Sequence, residues 1–218
     1  MYVISVNVGK AQPIKNAKAS GVSGIFKIPA SGPVTVTRAG LTGDTICDTD
    51  NHGGEDQAVY VFGTKDYAHW SSVLGRDLPP GTFGENLTLS GLESAPMHIG
   101  DVLCMGAVKL QVTAPRIPCV TLAARMGDPE FVKLFRTVER PGLYCRVLVD
   151  GQVHAGQTVT VERYQGEIVS ALEMFRNFYE SQPDMVTLQR FLRAPIAIRA
   201  RQDTQQQLES LRQHASSA

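Results

Sequence analysis

The sequence of 218 residues lacks an excess of charge of either sign and lacks long hydrophobic runs. Lys+Arg and Asp+Glu both number 21, which argues against a general binder of nucleic acid or of a membrane surface. No apolar stretch approaches the roughly 20 residues that a membrane-spanning helix needs. The amino terminus lacks the basic region and cleavage site of a secretory signal. We therefore expect a cytoplasmic protein that binds neither nucleic acid nor membrane.

Cysteine is scarce, with four residues in the chain and no C-x-x-C pair. A chain of this length does not need disulfides to fold, so we expect reduced thiols. The Walker and dinucleotide fingerprints are absent too, so the sequence indicates no bound nucleoside triphosphate or NAD. Three of the cysteines lie in or beside β-prone stretches and are interpreted as packing residues: Cys47, Cys104 and Cys145.

Short β-prone runs, separated by glycine and proline, fill residues 1 to about 163. The first run alternates, and its predicted face consists of Tyr2, Ile4, Val6 and Val8. Asp150-Gly151 predicts a hairpin between strands at Leu143–Val149 and Val153–Val161. Many short strands with few helices predict a mainly β fold, as a closed or nearly closed β-barrel.

A few short helices interrupt the strands, and helices dominate the end of the chain. Thr64–Leu74 and Val120–Met126 have helical spacing, and Asp128-Pro129 is a typical helix start. Residues 164–218 form a second predicted unit, a three-helix appendage to the domain at 1–163. Its predicted helices are Ile168–Tyr179, one that begins at Pro183-Asp184, and one that ends near Gln213.

The stretch V-T-A-P-R-I-P-C-V at 112–120 presents a thiol on a stiff loop. Pro115 and Pro118 fix their own φ and push the preceding residues toward extended geometry. Arg116 lies three residues before Cys119, and a nearby guanidinium favours the thiolate, which attacks electrophiles or binds soft metals. A buried structural cysteine is the commoner interpretation of this stretch alone, because cysteine is among the most buried residue types.

Two further loops, His52–Gln57 and Phe83–Asn86, place polar groups beside glycines at the start of a strand. Such loops on a rigid β scaffold often carry function. His52 and Cys119 are compatible with a Cys-His hydrolase or, with other cysteines, a zinc site, although no protease signature or standard zinc spacing supports either. The alternatives are structural: a surface turn for His52, local backbone contacts for Glu85 and Asn86, a solvated cation for Arg116 and barrel packing for Tyr144.

These loops belong to an ordered set of motifs along the chain: Gly40–Asp44, His52–Val59, Phe83–Leu87, Ile99–Asp101, Arg116–Cys119 and Gly142–Tyr144. As a set they resemble the MOSC family, the β-barrel domain found at the C-terminus of molybdenum cofactor sulfurases. The resemblance covers roughly residues 1–163, and the C-terminal helices are similar to those of the bacterial YiiM branch of that family. Glu55 departs from the proline that the family usually has, and Ile117 departs from a frequent serine.

The resemblance implies a molybdenum cofactor, Mo-molybdopterin, with the metal ligated by Cys119. It also implies a set of cofactor-lining residues, which comprises His52, Phe83, Gly84, Glu85, Asn86, Arg116, Cys119 and Tyr144. Cys119, Arg116 and Asn86 are the candidate catalytic residues of that set. A pterin phosphate needs backbone N–H groups or a guanidinium, and we expect Arg116 or the Thr37-Arg38 region to supply them.

Members of this branch are similar to the mammalian amidoxime-reducing components, which implies reduction of N-hydroxylated compounds to amines. The implied substrates are hydroxylaminopurine-type bases, amidoximes and hydroxylamines. Electrons would come from an external flavin or iron–sulfur reductase, because the chain has no cysteine cluster for an iron–sulfur centre. The alternative is a carrier that holds molybdenum cofactor or a persulfide sulfur on Cys119 without turnover. A scaffold with an inert Cys119 is a third interpretation.

Overall fold

A computed structural model describes residues 1–17, 21–49 and 53–217, without the side chains of 214–217. The strands are β1 (Val3–Val8), β2 (Gln12–Pro13), β3 (Val22–Ser23), β4 (Ile28–Pro29), β5 (Val34–Thr37), β6 (Gly40–Leu41), β7 (Val59–Gly63), β8 (Leu87–Leu89), β9 (Val102–Met105), β10 (Val108–Pro115), β11 (Leu143–Val149), β12 (Gly151–Val153) and β13 (Thr160–Glu162). The α-helices are α1 (Thr64–Leu74), α2 (Val120–Met126), α3 (Phe131–Val138), α4 (Ala171–Asn177), α5 (Met185–Arg193) and α6 (Ile198–Ser217). In the part of the chain so described, no helix is long and apolar enough to span a membrane.

The main sheet has eight strands in the order β13-β9-β10-β11-β7-β8-β1-β4. Its neighbours are antiparallel except β7 and β8, which run parallel. A second sheet has the order β12-β5-β6, and β2 pairs with β3. The longest strand, β10, lies inside the main sheet between β9 and β11, so the loop that follows it is anchored on a strand supported from both sides.

The sequence predicts a mainly β barrel, and this prediction overstates the strand content. Helix and strand contents are roughly equal among the described residues, and the main sheet ends at β13 on one side and β4 on the other. Backbone bonds from a loop partly bridge these ends, since Val3 N–H donates to the Gln157 carbonyl at 2.9 Å and Gly156 N–H donates to the Val3 carbonyl at 2.8 Å. The sheet is therefore curled but is not a closed barrel.

The hairpin predicted at Asp150-Gly151 is wrong. One edge of β11 is paired with β10, and β7 pairs with the other edge only over Leu143–Cys145. The chain instead crosses to the smaller sheet, where β12 pairs with β5. It then returns as β13, which pairs with β9. The strand predicted over Val153–Val161 is accordingly two short strands in different sheets.

The first strand also buries a different face from the one predicted. Val3, Ser5 and Asn7 are buried, and of the predicted set only Val6 is buried as well. The register of β1 against β8 shifts between Val3 and Ser5, and such a bulge interrupts the simple alternation of faces. The buried polar groups pair with each other, since Ser5 Oγ donates to Asn7 Oδ1 at 2.6 Å.

The predictions for α1 and α2 are confirmed, and each helix ends at a glycine in the left-handed region. The next helix, α3, begins at Phe131 instead of at the Asp128-Pro129 pair. The Asp128 carboxylate accepts the Glu130 N–H at 2.9 Å, so this pair forms a turn before the helix. In the C-terminal part, α4 is capped by Ser170 and α5 by Asp184 through their side-chain oxygens.

The three predicted C-terminal helices are present and pack on the sheet. Phe191 and Ile196 belong to the same apolar cluster as the strands, and Phe175 joins a second cluster. Ala197, just before α6, donates its N–H to the Thr113 carbonyl of β10 at 3.1 Å. This contact places the start of α6 beside the end of β10. The division into two domains at residue 163 stays a prediction.

Candidate functional site

Cys119 lies where the end of β10 passes into α2. The intervening residues 116–118 carry no regular structure, and Cys119 is the N-cap of α2 with φ −131° and ψ 168°. Its carbonyl accepts the N–H groups of Leu122 at 3.0 Å and Ala123 at 3.2 Å. The side chain is half-buried. The stiff loop predicted from the two prolines therefore presents a partly accessible thiol at a strand-to-helix junction.

A first cavity of about 100 Å³ opens on one side of this thiol. Segments 22–27 and 44–48 form its outer rim. Its inner wall is formed by Tyr60 on β7, Tyr144 on β11, the loop before β8 and the loop between β10 and α2. Most of its chemistry comes from seven side chains: Lys27, Asp44, Cys47, Asp48, Asn86, Arg116 and Cys119. The first cavity is thus a polar site that contains two cations, two carboxylates and two thiols.

Lys27 and Asp44 form a buried ion pair in the first cavity, with side chains only 8% and 6% exposed. The Asp44 carboxylate also accepts the Gly9 N–H at 2.8 Å and the Asn86 Nδ2–H at 2.9 Å. Burial lowers the pKa of Lys27, and the attraction to Asp44 opposes that effect. Lys27 is absent from the residues chosen on sequence grounds, although a single cation between Phe26 and Ile28 is a detectable signal.

Arg116 is a buried cation and not a solvated one, since only 5% of it is exposed. Its Nη1 donates to the Phe83 carbonyl, and its guanidinium lies 4.9 Å from the centre of the Tyr60 ring. Burial acts to lower the pKa of Arg116, but attraction to Tyr144, Tyr60 and Cys119 outweighs it and raises that pKa. The buried Nε has no hydrogen-bond partner among the residues described. Arg116 therefore keeps its charge and has a donor left for a ligand.

The loop predicted at 83–86 contributes two residues to the cavity wall, Gly84 and Asn86. Asn86 is held by the Tyr60 N–H, which donates to its Oδ1 at 3.0 Å. Gly84 has φ +74°, and a Cβ there would approach the Cγ1 of Ile25 to 2.7 Å. A side chain at position 84 would consequently push the rim of the first cavity away from its inner wall.

Phe83 and Glu85 lie behind this wall, and neither side chain lines the first cavity. The Phe83 ring stacks on Phe62 with centroids 4.5 Å apart. Glu85 is fully buried, and its Oε1 accepts bonds from Tyr67 Oη at 2.6 Å and the Gly81 N–H at 2.6 Å. Burial raises the pKa of Glu85. These two residues brace the loop, and their predicted contact with a cofactor stays a prediction.

Other predicted site residues are placed in different ways. Tyr144, on β11, lines the first cavity, and its ring lies 5.0 Å from that of Tyr60. Cys47 lines the same cavity, so it is not solely a packing residue as the sequence analysis interpreted it. Arg38 is exposed on the turn between β5 and β6 and does not line the cavity. His52 lies outside the described residues.

A second cavity of about 340 Å³ also borders the cysteine loop. It shares Cys119 and Tyr144 with the first cavity. Its other walls come from the cysteine loop, the 3-10 turn at Glu55–Gln57 and the helices α4 and α6. These residues are mainly apolar and include Ile117, Pro118, Met174, Phe178, Ala197 and Ala200. The sequence analysis missed this cavity because α6 reads as a polar surface helix.

No group of three or more His, Cys, Asp or Glu side chains suited to a metal ion occurs among the side chains described, those of 1–17, 21–49 and 53–213. The zinc interpretation therefore has no support from the described side chains. A cysteine thiol beside buried cations suits a metal that is carried by an anionic organic group, because that group supplies most of the ligands.

Comparisons with known proteins identify the family of this chain. The MOSC domain family model matches residues 48–160. The Bacillus subtilis protein YflK is 35% identical over 190 residues, which cover 87% of this chain and 86% of YflK. A Gibberella moniliformis protein named Reductase is 31% identical over 162 residues, or 70% of this chain and 28% of that protein. The crystal structure of YiiM from Geobacillus stearothermophilus has a TM-score of 0.79 at 27% identity and covers 95% of this chain and 98% of that chain. The chain belongs to the MOSC domain family.

Proposed function

We propose that the protein is a molybdenum-cofactor-dependent oxidoreductase that reduces N-hydroxylated compounds to amines, with Cys119 as the protein ligand of the metal. One observation carries the proposal: Cys119 borders two cavities, one that contains the buried cations Lys27 and Arg116 and one that lies between the cysteine loop and the helices α4 and α6 and is lined mainly by apolar residues. Membership of the MOSC family and a relative named Reductase support it.

The donor set of the first cavity fits molybdopterin in chemical type. Lys27 and Arg116 suit its phosphate and anionic sulfurs, and the Asn86 amide suits the amide-like edge of a pterin. The unpartnered Nε of Arg116 is a donor that a ligand would satisfy. The cavity of about 100 Å³ is smaller than the roughly 300–1,000 Å³ of most small-molecule sites. Binding of a whole pterin therefore requires the rim at 22–24 and 44–48 to move outward.

When bound, the cofactor supplies a metal that accepts an oxygen atom and changes oxidation state, which no side chain does. Cys119 would hold the metal through its thiolate, and Arg116 would favour that thiolate by its charge. Burial raises the pKa of Tyr144, so Tyr144 keeps its proton at neutral pH where it lines both cavities. Conversion of N–OH to N–H consumes two electrons and two protons and releases water.

We infer that the electrons come from a separate flavin or iron–sulfur reductase. The described cysteines do not form a cluster that could hold an iron–sulfur centre. We also infer a reducing, cytoplasmic location, because none of the four cysteines forms a disulfide in the described structure.

The test is a reduction assay with purified holoprotein, reduced methyl viologen as electron donor, and benzamidoxime or 6-hydroxylaminopurine as substrate. The proposal predicts benzamidine or adenine, detected by chromatography, in amounts that exceed the protein by many turnovers. Retention of the cofactor without amine formation would instead indicate the carrier, which holds molybdenum cofactor or a persulfide sulfur on Cys119. Absence of both, with slow reaction of Cys119 toward a thiol reagent, would indicate the scaffold.

A further inference from the structure

We propose that Asp56 is a positioning residue that caps α6 from the motif at 52–59 and so holds the helical wall of the second cavity against the cysteine loop. This inference rests on the proposed function, because it concerns how a substrate meets a metal held by Cys119. Asp56 lies in the 3-10 turn of the motif, and its neighbour Gln57 lines the second cavity. Asp56 itself lines neither cavity, so it acts on the site through α6.

The residue before α6 cannot cap this helix with its own side chain. Ala197 occupies that position and has no side-chain oxygen, whereas α4 and α5 are capped by Ser170 and Asp184, the residues directly before them. A helix leaves its first N–H groups without intrahelical partners, and alanine is among the poorest capping residues. The start of α6 therefore depends on an acceptor from another part of the chain.

Asp56 supplies this acceptor from 142 residues earlier in the sequence, since the Ile198 N–H donates to its Oδ2 at 2.6 Å. A carboxylate at this end of a helix also interacts favourably with the helix dipole. Nε of Arg146, on β11, lies 3.0 Å from Asp56 Oδ1 in an ion pair. Nη2 of the same guanidinium donates to the carbonyls of Pro195 and Ile196, each at 3.2 Å. One ion pair therefore fixes the segment that leads into α6.

The same turn is tied to β10, the strand that leads into the cysteine loop. Thr113 Oγ1 donates to the Asp56 carbonyl at 2.6 Å, and the Thr113 carbonyl accepts the Ala197 N–H at 3.1 Å. These three residues form a joint between the motif, β10 and α6. The helical wall of the second cavity begins at this joint and includes Ala197, Arg199, Ala200 and Asp203. Loss of the cap would let this wall move relative to Cys119.

A looser α6 should affect the substrate and leave the cofactor in place. None of the described residues that line the first cavity belongs to α6. A wall that is fixed before binding does not have to be ordered by the ligand, so its loss weakens binding. We therefore expect a higher KM at unchanged molybdenum content. A purely structural role of Asp56 would instead lower the free energy of unfolding and leave KM as it is.

The test compares holoproteins that lack the cap of one helix or of its neighbour. Asp56→Ala removes the cap of α6, and Asp184→Ala is the matched control, because Asp184 accepts the Thr187 N–H at 2.9 Å and α5 contributes no described residue to either cavity. For benzamidoxime we expect KM to rise about tenfold in Asp56→Ala and to stay within about twofold in Asp184→Ala, with kcat and molybdenum content within about twofold in both. Asp56→Asn keeps a capping oxygen and should bring KM back to within about threefold of the wild type.

Hydrogen exchange tests the cap without any reaction. Amides 198–204 should exchange about tenfold faster in Asp56→Ala than in the wild type, and at the wild-type rate in Asp184→Ala. Asp56→Glu keeps the charge but displaces the carboxylate, so it replaces Asp56→Ala if that variant does not fold and should show the same two changes. Unchanged exchange, or KM values that are equal in Asp56→Ala and Asp184→Ala, would overturn the inference while amine formation by the wild type still upholds the proposed function. No amine formation by the wild type would overturn both.

Discussion

The two cavities that meet at Cys119 differ in how their charged groups are held. In the first cavity, Asp44 accepts from Lys27, Gly9 and Asn86, so this part of the charged wall is assembled before any ligand arrives. In the second, the charged residues Arg199 and Asp203 lie on one helix, α6, among residues that are mainly apolar. A preassembled charged site suits a group that stays bound, whereas mainly apolar walls suit a molecule that is exchanged at each turnover.

The cavities also differ in the elements that build them. Strands and loops of the main sheet form the inner wall of the first cavity, and the second is closed by α4 and α6. The same thiol can therefore serve two independent sets of residues. Changes in the first set should alter cofactor content, and changes in the second set should alter substrate use.

Cys119→Ala has the largest expected effect, because it removes the residue that the cavities share. We expect no detectable amine formation from benzamidoxime, since the proposed metal ligand is lost. Cys104→Ala is the matched control, because Cys104 is half-buried on β9 and lines neither cavity. Activity in Cys119→Ala equal to that of the control would refute the role of the thiol.

Lys27→Met would disrupt the first cavity and leave the second cavity unchanged. It leaves Asp44 buried without its cation, which we expect to cost about 3–5 kcal/mol in the free energy of unfolding and to lower cofactor content. Urea denaturation and metal analysis measure the two effects. The double variant Lys27→Met/Asp44→Asn should recover much of the stability without the cofactor, and exposed Lys10→Met should change neither. Full cofactor content in the double variant would show that Lys27 does not contribute to cofactor binding.

Asp66→Asn tests whether a buried carboxylate outside both cavities differs from Asp44 in its effect on cofactor content. Asp66 is fully buried and accepts the Ser94 N–H at 3.0 Å, and burial raises its pKa to about 6. Because the folded state holds this proton more tightly than the unfolded state, stability is lost as pH rises from about 4 to about 6. Asparagine cannot ionise, so the variant should gain up to about 3 kcal/mol at pH 8 and almost nothing below pH 4.

Denaturation curves at pH 4 and pH 8 check this prediction, and cofactor content should equal that of the wild type. A gain that is the same at both pH values would show that ionisation of Asp66 is not its cause. Cofactor loss in this variant would show that buried carboxylates affect binding wherever they lie, which would weaken the contrast between the cavities.

Ala200→Leu would narrow the second cavity and has the smallest expected effect. Ala200 lines that cavity, so added methyl groups compete with the substrate for space. We expect kcat/KM for benzamidoxime to fall about tenfold, equivalent to about 1.4 kcal/mol, with unchanged metal content. Ala155→Leu, at an exposed turn, is the control. A loss of metal in Ala200→Leu alone would show that the two cavities do not act separately.

Features that depend on neighbours in sequence could be predicted. Prolines on both sides of Arg116 indicated a stiff loop, and the structure shows Cys119 at its end, as the N-cap of α2. Glycines after α1 and α2 marked their ends for the same local reason. The motif that contains Asn86 was chosen by resemblance, and the structure places Asn86 in the wall of the first cavity.

Features that depend on tertiary contacts could not be predicted from the sequence. Whether β12 paired with its neighbour β11 or with β5 depended on strands that are distant in sequence. The importance of Lys27 emerges only once folding brings Asp44 against it, and the second cavity exists only because α6 begins beside β10. A local sequence pattern does not determine these long-range contacts.

The most direct test of the central claim is elemental analysis of the purified protein for molybdenum, after expression in cells proven to make the cofactor. Wild type, Cys119→Ala and Cys104→Ala would be measured side by side. Ligation by Cys119 predicts about one molybdenum per chain in the wild type and in Cys104→Ala, and almost none in Cys119→Ala. A wild-type protein without molybdenum, or equal amounts in all three proteins, would contradict the claim that Cys119 holds the metal between the two cavities.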